Sequence, residues 1–279
     1  MMGDNDYISF TKMQATGNDF VVLDNRSASL SKDKIIALTP EICDRNFGVG
    51  SDGILALFPA ERDDVDFTMF FRNPDGSDAG MCGNGARCMS LFAYSLGFKK
   101  NHRFNVHNKV YEAAILSPEK IRISFPMEAT AKDMTVDGRK CHAIQTGTEH
   151  LVTAVDKETL KDEEKLREEG SMLRHNTLFQ PKGTNVNFIC GLNETNLKLQ
   201  TFERGVENLT LACGTGAIAS ALIWHHIQNP NRSEDLKFTV ETKGGSLSVY
   251  FSFNTHNQTY SNIKLEGPAH FVFKGEYML

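Results

Sequence analysis

Two short runs in this chain each join a cysteine to the start of an apolar segment. Met81-Cys82-Gly83-Asn84-Gly85-Ala86-Arg87-Cys88 and Ala212-Cys213-Gly214-Thr215-Gly216-Ala217 repeat one pattern 131 positions apart (213 − 82). In each, the cysteine sits on a small-residue turn ahead of a helix-forming run, Met89 to Leu96 in the first and Ile218 to Ile227 in the second. Glycine lets the backbone turn tightly and approach a ligand, and the N–H groups at a helix start carry partial positive charge. Each run reads as a thiol beside an anion cradle, and the same positive end favours thiolate over thiol.

The chemistry open to such cysteines is narrow. A zinc site wants four ligands at short spacings, whereas Cys82 and Cys88 stand roughly 240° apart around a helix, so no metal is expected. A dithiol redox protein would show C-x-x-C, which is absent. There remain a lone nucleophilic cysteine with a histidine base and two cysteines acting together as acid and base. The repeat selects the second. If the halves face one another across a cleft, one thiolate removes a proton from carbon while the opposite thiol delivers one, and a stereocentre inverts. The helix starts would hold the substrate carboxylate and stabilise charge moving onto it. No metal and no electron-sink cofactor is needed.

The elements that must position these cysteines are legible in turn signals and β-branched runs. Thr16-Gly17-Asn18-Asp19 followed by Phe20 to Leu23 gives a loop and then a strand, with Asn18 at its mouth; read alone, Asn18 is an ordinary turn residue. Ser31 to Cys43 reads as a helix that restarts near Pro40-Glu41. Gly48-Val49-Gly50-Ser51-Asp52-Gly53 fits G-x-G-x-x-G. However, a helix-like segment precedes it and a strand-like run, Ile54 to Phe58, follows, the reverse of a dinucleotide fingerprint. Asp66 to Arg72 is a strand ending in the turn Asn73-Pro74-Asp75-Gly76-Ser77. After the first cysteine motif and its helix, strands are expected over Phe104–Val110, Tyr111–Leu116 and Ile121–Phe125. The charge-dense Asp156 to Gly170 is a solvated helix face. Gly183 to Ile189 is again loop then strand, and Leu199 to Arg204 is a strand. Beyond the second motif, Phe238–Thr242, Leu247–Phe253 and Ile263–Glu266 read as strands, and Ala269 to Tyr277 as a segment returning to the first half.

Two further landmarks repeat. Thr16-Gly17 recurs as Thr146-Gly147 at an offset of 130 (146 − 16), which sets His150 opposite Phe20, and Phe71 and Phe202 each lie 11 residues before a motif cysteine. Three landmarks in one order indicate two copies of one fold related by a pseudo-twofold axis. The expected domains are 1–126, joined by 268–279, and 127–267.

Composition agrees with a globular protein of two domains: 279 residues, 40% hydrophobic and 23% charged. A net charge of −5 without a basic block argues against nucleic acid, and no apolar run reaches bilayer length. Met1 to Asp6 lacks the character of a signal peptide, so the cytoplasm is the expected location, and the six cysteines read as free thiols. Cys43, Cys88, Cys141 and Cys190 are packing residues on this reading. His225 and His226 belong to no constellation.

Taken together, Gly17 to Phe20, Asp44 to Gly53, Asn73 to Ser77 with Met81 to Arg87, Gly183 to Phe188, and Glu203 to Gly205 with Ala212 to Ala217 resemble the diaminopimelate epimerase family from about Thr11 to Ala219. The resemblance implies an α+β fold of two pseudo-symmetric domains, each a strongly curved, mostly antiparallel sheet or barrel around a central helix. It implies a cofactor-independent epimerase that interconverts LL- and meso-2,6-diaminopimelate on the way to lysine and cell-wall precursors. Cys82 and Cys213 would be the two bases. Asn18, Asn73, Asn185, Glu203 and Arg204 would contact substrate, with Gly83-Asn84 and Gly214-Thr215 as the carboxylate cradle. His150 and Glu203 would tune the thiol pair. Many members have Asn where Thr148 stands, and some have a side-chain donor at the position of Gly53, so these two are further candidates for substrate contact. The partner expected is a small amino acid, and the expected assembly a homodimer.

A racemase of proline, hydroxyproline or histidine using the same thiol pair is the alternative, although the proline group is expected to show His at Asn84. A double-bond isomerase of this fold would replace the first cysteine by a carboxylate, which Cys82 opposes. A non-catalytic amino-acid-binding module is the alternative from another class.

Overall fold

The structure is a computed structural model that describes residues 7–27, 29–228, 233 and 236–279; the acidic stretch Met1 to Asp6 lies outside them. The chain separates into two compact units, one running to Ile123 and resuming at Gly267–Leu279, the other Ser124–Glu266.

The first unit contains β1 (Tyr7–Ala15), β2 (Asn18–Asp24), α1 (Lys32–Cys43), β3 (Ile54–Phe58), β4 (Phe67–Arg72), α2 (Gly83–Ser95), β5 (Asn101–Val106) and β6 (Lys109–Ser117), with β7 (Lys120–Ser124) at its end. β1 and β2 form a hairpin whose two turn residues, Thr16 and Gly17, both have positive φ (49° and 84°), the backbone that matches strand twist. β2 then runs parallel to β3, β3 antiparallel to β4, β4 parallel to β5 and β5 antiparallel to β6. A parallel pair needs a crossover, and α1 and α2 supply them. α2 is buried along Gly83 to Ala93, so it is the core of the unit.

The second unit repeats this order. It comprises β8 (Lys132–Val136), β9 (Arg139–Gln145), β10 (Glu149–Ala154), α3 (Lys157–Lys161), α4 (Glu163–Arg174), β11 (Asn185–Gly191), β12 (Asn196–Glu203), β13 (Asn208–Thr210), α5 (Gly214–Gln228), β14 (Leu236–Thr242), β15 (Gly245–Asn254) and β16 (Thr259–Gly267). β9 and β10 make the hairpin, β10 is parallel to β11, β11 antiparallel to β12, β12 parallel to β14, and β14 antiparallel to β15. α5 is the buried equivalent of α2. The last strand, β17 (His270–Met278), pairs antiparallel with β1, as β8 does with β9. The protein is thus α+β, with two pseudo-symmetric units that each wrap a mostly antiparallel sheet around one helix.

Several expectations need correction. α1 passes through Pro40 without restarting; Thr39 Oγ1 bonds back to the Ile35 carbonyl at 2.7 Å and the helix continues to Cys43. The strand expected over Phe104–Val110 is broken by a hairpin turn at His107 (φ 52°), so β5 ends at Val106 and β6 begins at Lys109. The charged run after Asp156 is two helices, because Asp162 caps a new one through its bond to the Lys165 N–H. The Phe71–Phe202 landmark is out of step by one residue. Phe71 stands opposite Leu55 and packs on Phe20, whereas the residue of β12 opposite Asn187 is Thr201, and Phe202 points to the other face against Gly170 of α4.

Candidate active site

In the first unit Cys82 is the N-cap of α2. Its Sγ accepts the Gly85 N–H at 3.4 Å and its carbonyl accepts that of Ala86 at 2.8 Å. A cap is usually an oxygen; here sulfur takes that place, where the helix end favours the thiolate.

A chain of oriented side chains leads away from it. Arg87, one turn along and fully buried, donates from Nη1 to the Gly83 carbonyl (3.1 Å), from Nη2 to Asn84 Oδ1 (2.8 Å) and Thr16 Oγ1 (3.2 Å), and from Nε to the Pro268 carbonyl (3.1 Å). Burial pulls its pKa down to about 10. With Oδ1 of Asn84 facing the guanidinium, its Nδ2 donates to Asn18 Oδ1 at 3.2 Å, and Asn18 Nδ2 donates to Asp52 Oδ2 at 2.7 Å. Neither amide can flip without setting oxygen against oxygen. Asn18 Oδ1 therefore faces Cys82 Sγ, 3.8 Å away. Asp52 and Asp19 are bridged by Arg45, each at 2.7 Å, and Asp19 pairs with Lys12 at 2.6 Å. Despite partial burial, Asp19 titrates below the ordinary range because Arg45 and Lys12 hold it.

In the second unit Cys213 caps α5 in the same way. Its Sγ accepts the Gly216 N–H at 3.3 Å, lies 3.5 Å from Thr215 Oγ1, and its carbonyl accepts the Ala217 N–H at 2.8 Å. Thr146 Oγ1 donates to the Thr215 carbonyl at 2.9 Å, tying the hairpin turn to the helix start.

The sheet beneath α5 is polar. Asn187 Nδ2 donates to the Leu151 carbonyl (3.1 Å) and to His150 Nδ1 (3.0 Å), while its Oδ1 accepts from Thr201 Oγ1 (3.0 Å). This fixes the amide, so His150 Nδ1 must be an acceptor and its proton sits on Nε2, 3.1 Å from Thr148 Oγ1. Burial, with Arg204 adding repulsion, holds His150 down to about 3, and the ring is neutral at pH 7. Asn185 Nδ2 donates to Thr148 Oγ1 (3.0 Å) and to the Glu149 carbonyl (3.1 Å), and its Oδ1 accepts the Arg204 N–H (2.9 Å). Arg204 Nη1 reaches Glu149 Oε2 at 3.2 Å. Gly216 is what admits Asn187 here, since a Cβ on it would stand 2.6 Å from Asn187 Oδ1.

The candidate residues thus fall into two groups. Asn18, Gly83 and Asn84 gather around Cys82. Thr148, His150, Asn185 and Arg204 form one bonded cluster, and Gly214 and Thr215 form the first turn after Cys213. Glu203 ends β12, opposite Asn208. Asn73 is tied to its own turn through Nδ2 to Ser77 Oγ at 3.0 Å. Gly53 is buried with φ 155°, and a Cβ there would meet the Arg72 carbonyl at 2.5 Å, so no side-chain donor fits that position. Sequence reasoning missed Arg87, Asp52, Arg45, Asn187 and Thr201. Asn187 had a signal: it lies two residues beyond Asn185 in a strand, hence on the same face.

The diaminopimelate epimerase family model matches residues 10–113 and 142–272. A diaminopimelate epimerase of Flavobacterium psychrophilum is 36% identical over 264 residues, covering 94% of this chain and 97% of that protein. One from Chlorobaculum tepidum is 36% identical over 274 residues, covering 96% of this chain and 100% of its own. Among solved structures, a phenazine biosynthesis protein of the PhzF family from Bacillus anthracis superposes with a TM-score of 0.75 at 12% identity, covering 98% of this chain and 99% of that one. A hydroxyproline epimerase from Agrobacterium vitis gives 0.71 at 12%, covering 100% and 94%. At that identity the two structures speak for the fold, and the sequence relatives for the family. With its paired cysteine-capped helices and a match that runs nearly end to end, the chain belongs to the diaminopimelate epimerase family.

Proposed function

We propose that this protein interconverts LL- and meso-2,6-diaminopimelate with Cys82 and Cys213 as its two bases. The observation that carries the reading is that two topologically equivalent helices each begin on a cysteine whose sulfur accepts the N–H three residues on. In one direction a thiolate takes the α-proton as S–H, and the opposite thiol gives its proton to the other face of the carbon. In the reverse direction the roles exchange. Charge that moves onto the α-carboxylate meets the positive first turns of α2 and α5. Asn18, Asn73, Asn185, Glu203 and Arg204 are the proposed substrate contacts, with His150 and Glu203 tuning the thiols.

Thr148 sharpens the substrate class. His150 Nε2 and Asn185 Nδ2 both donate to its oxygen, which fills its two acceptor positions and leaves the hydroxyl hydrogen for a ligand. A donor suits a carboxylate and not an ammonium group, as expected for the distal end of a diamino diacid. The cytoplasm is the proposed location. A homodimer is proposed as well; β17, which pairs with β1, exposes Phe271, Val272 and Phe273 on one stretch, and sedimentation velocity would test it.

The direct assay offers LL-diaminopimelate beside proline, hydroxyproline, histidine and mono-carboxylate diamines. Inversion of diaminopimelate alone supports the reading. Preferential inversion of a ring amino acid, or α-hydrogen exchange with none of them, would overturn it.

A further inference from the structure

Away from the cysteines, the second unit brings together three side chains from three elements. Asp133 of β8 and His142 of β9 are directly opposite in register, and His226 comes from the last turn of α5. Asp133 Oδ1 lies 2.8 Å from His142 Nδ1 and 2.9 Å from His226 Nε2, and the three ligand atoms all fall within 4.8 Å of one another. The sequence reading left His226 without a constellation; positions 133, 142 and 226 do not announce themselves as one.

The environment suits a cation. His142 is 5% exposed and His226 24%, while Asp133 is 65% exposed, so the imidazoles are held by packing and the carboxylate faces water. Two imidazole nitrogens and one carboxylate oxygen are the donor set of borderline divalent ions, with Asp133 on the exposed side. A positive ion near the last turn of α5 also meets the negative end of that helix.

We infer that Asp133, His142 and His226 form a site for one divalent transition-metal ion, a structural clamp that pins the end of α5 to the β8–β9 hairpin. On binding, the protons that His142 Nδ1 and His226 Nε2 each share with Asp133 move to the other nitrogen of the same ring or to solvent, and the two freed lone pairs go to the metal. Because the helix so fixed begins at Gly214, beside Cys213, the ion would restrain the frame of that cysteine without touching it.

The test titrates the whole protein with Co²⁺, whose visible bands separate nitrogen and oxygen ligation from thiolate ligation, and follows thermal unfolding in parallel. One equivalent should bind with a nitrogen/oxygen spectrum and raise the unfolding temperature. Cys82→Ser and Cys213→Ser should leave that equivalent in place. Asp133→Asn and His226→Ala, both on the accessible side, should each weaken it more than tenfold, and His226→Ala folded to the same circular-dichroism spectrum removes the concern that buried His142 is needed for folding. Binding with only a thiolate spectrum, or equal binding by wild type and the Asp133→Asn/His226→Ala double variant, would overturn the inference.

Discussion

Beneath α2 the sheet presents Phe20, Leu55 and Phe71; beneath α5 the matching surface presents His150, Asn187 and Thr201. The helices differ in the opposite sense. Five residues after the cysteine, α2 carries the buried Arg87 and α5 the buried Ile218. One copy therefore places its polar group on the helix over an apolar sheet, and the other places it on the sheet under an apolar helix. A duplicated backbone constrains where a cysteine cap can stand, but leaves open which neighbour sets its electrostatics.

Removing the feature the copies share should cost most. Cys82→Ser and Cys213→Ser are each expected to lower the rate of inversion by about 10²–10⁴, the range for loss of a general acid or base, with little change in unfolding temperature. Inversion at the wild-type rate by either variant would break the equivalence of the two copies.

The features that differ come next. Arg87→Ile, which copies α5 into α2, strips donors from Gly83, Asn84, Thr16 and Pro268. A loss of roughly 1–3 kcal/mol is expected for each buried acceptor left unsatisfied, and thermal unfolding would register it; an unchanged midpoint would show that Arg87 is not needed there. The converse change, His150→Phe, has a signature in pH. His150 refuses a proton down to about 3 in the fold but accepts one near 6.5 when unfolded. Between those values the unfolded chain binds more protons, so stability falls as pH falls from 6.5 towards 3 and is level above it. His150→Phe should remove about one proton from that slope, roughly 1.4 kcal/mol per pH unit, in urea midpoints taken across the window. A slope identical to wild type would contradict the buried, neutral ring.

Smaller effects sharpen the contrast. In Gly216→Ala the new Cβ meets Asn187 Oδ1 at 2.6 Å, whereas in Gly85→Ala it meets the movable end of Leu55 at 3.2 Å. Overpacking should cost about 1–3 kcal/mol at Gly216 and less at Gly85, read from denaturant midpoints. Thr148→Val should reduce kcat/KM for diaminopimelate about tenfold, the equivalent of one hydrogen bond to a charged group.

Much of this was legible in the chain, for reasons that mark out what was not. The cysteine motifs, the Thr16-Gly17 and Thr146-Gly147 turns and the reversed glycine loop at Gly48 to Gly53 are local signals, and local backbone chemistry decided them. Hairpin turns without such punctuation were misjudged, as at His107, where a non-glycine residue takes a positive φ. Asp137-Gly138 was a strong turn signal passed over, and with it β8 and β9. The one-residue slip at Phe71 and Phe202 shows the limit of spacing, because a strand shifted by one turns every side chain to the other face. Arg87 could not be read as a functional neighbour because two of its partners, Thr16 and Pro268, lie 71 and 181 positions away and meet it only in the fold, and Thr201 because it is brought to Asn187 by pairing of β11 with β12.

The central claim is that two thiols act from opposite faces of one carbon. The most direct measurement is the isotope content of the first meso product formed from protiated LL-diaminopimelate in deuterated water. A two-base enzyme gives product carrying deuterium at the inverted carbon from the first turnovers, while unreacted substrate keeps its protium, and neither Cys82→Ser nor Cys213→Ser gives product at a comparable rate. Product that retains the original protium, or inversion sustained by one thiol alone, would contradict the account.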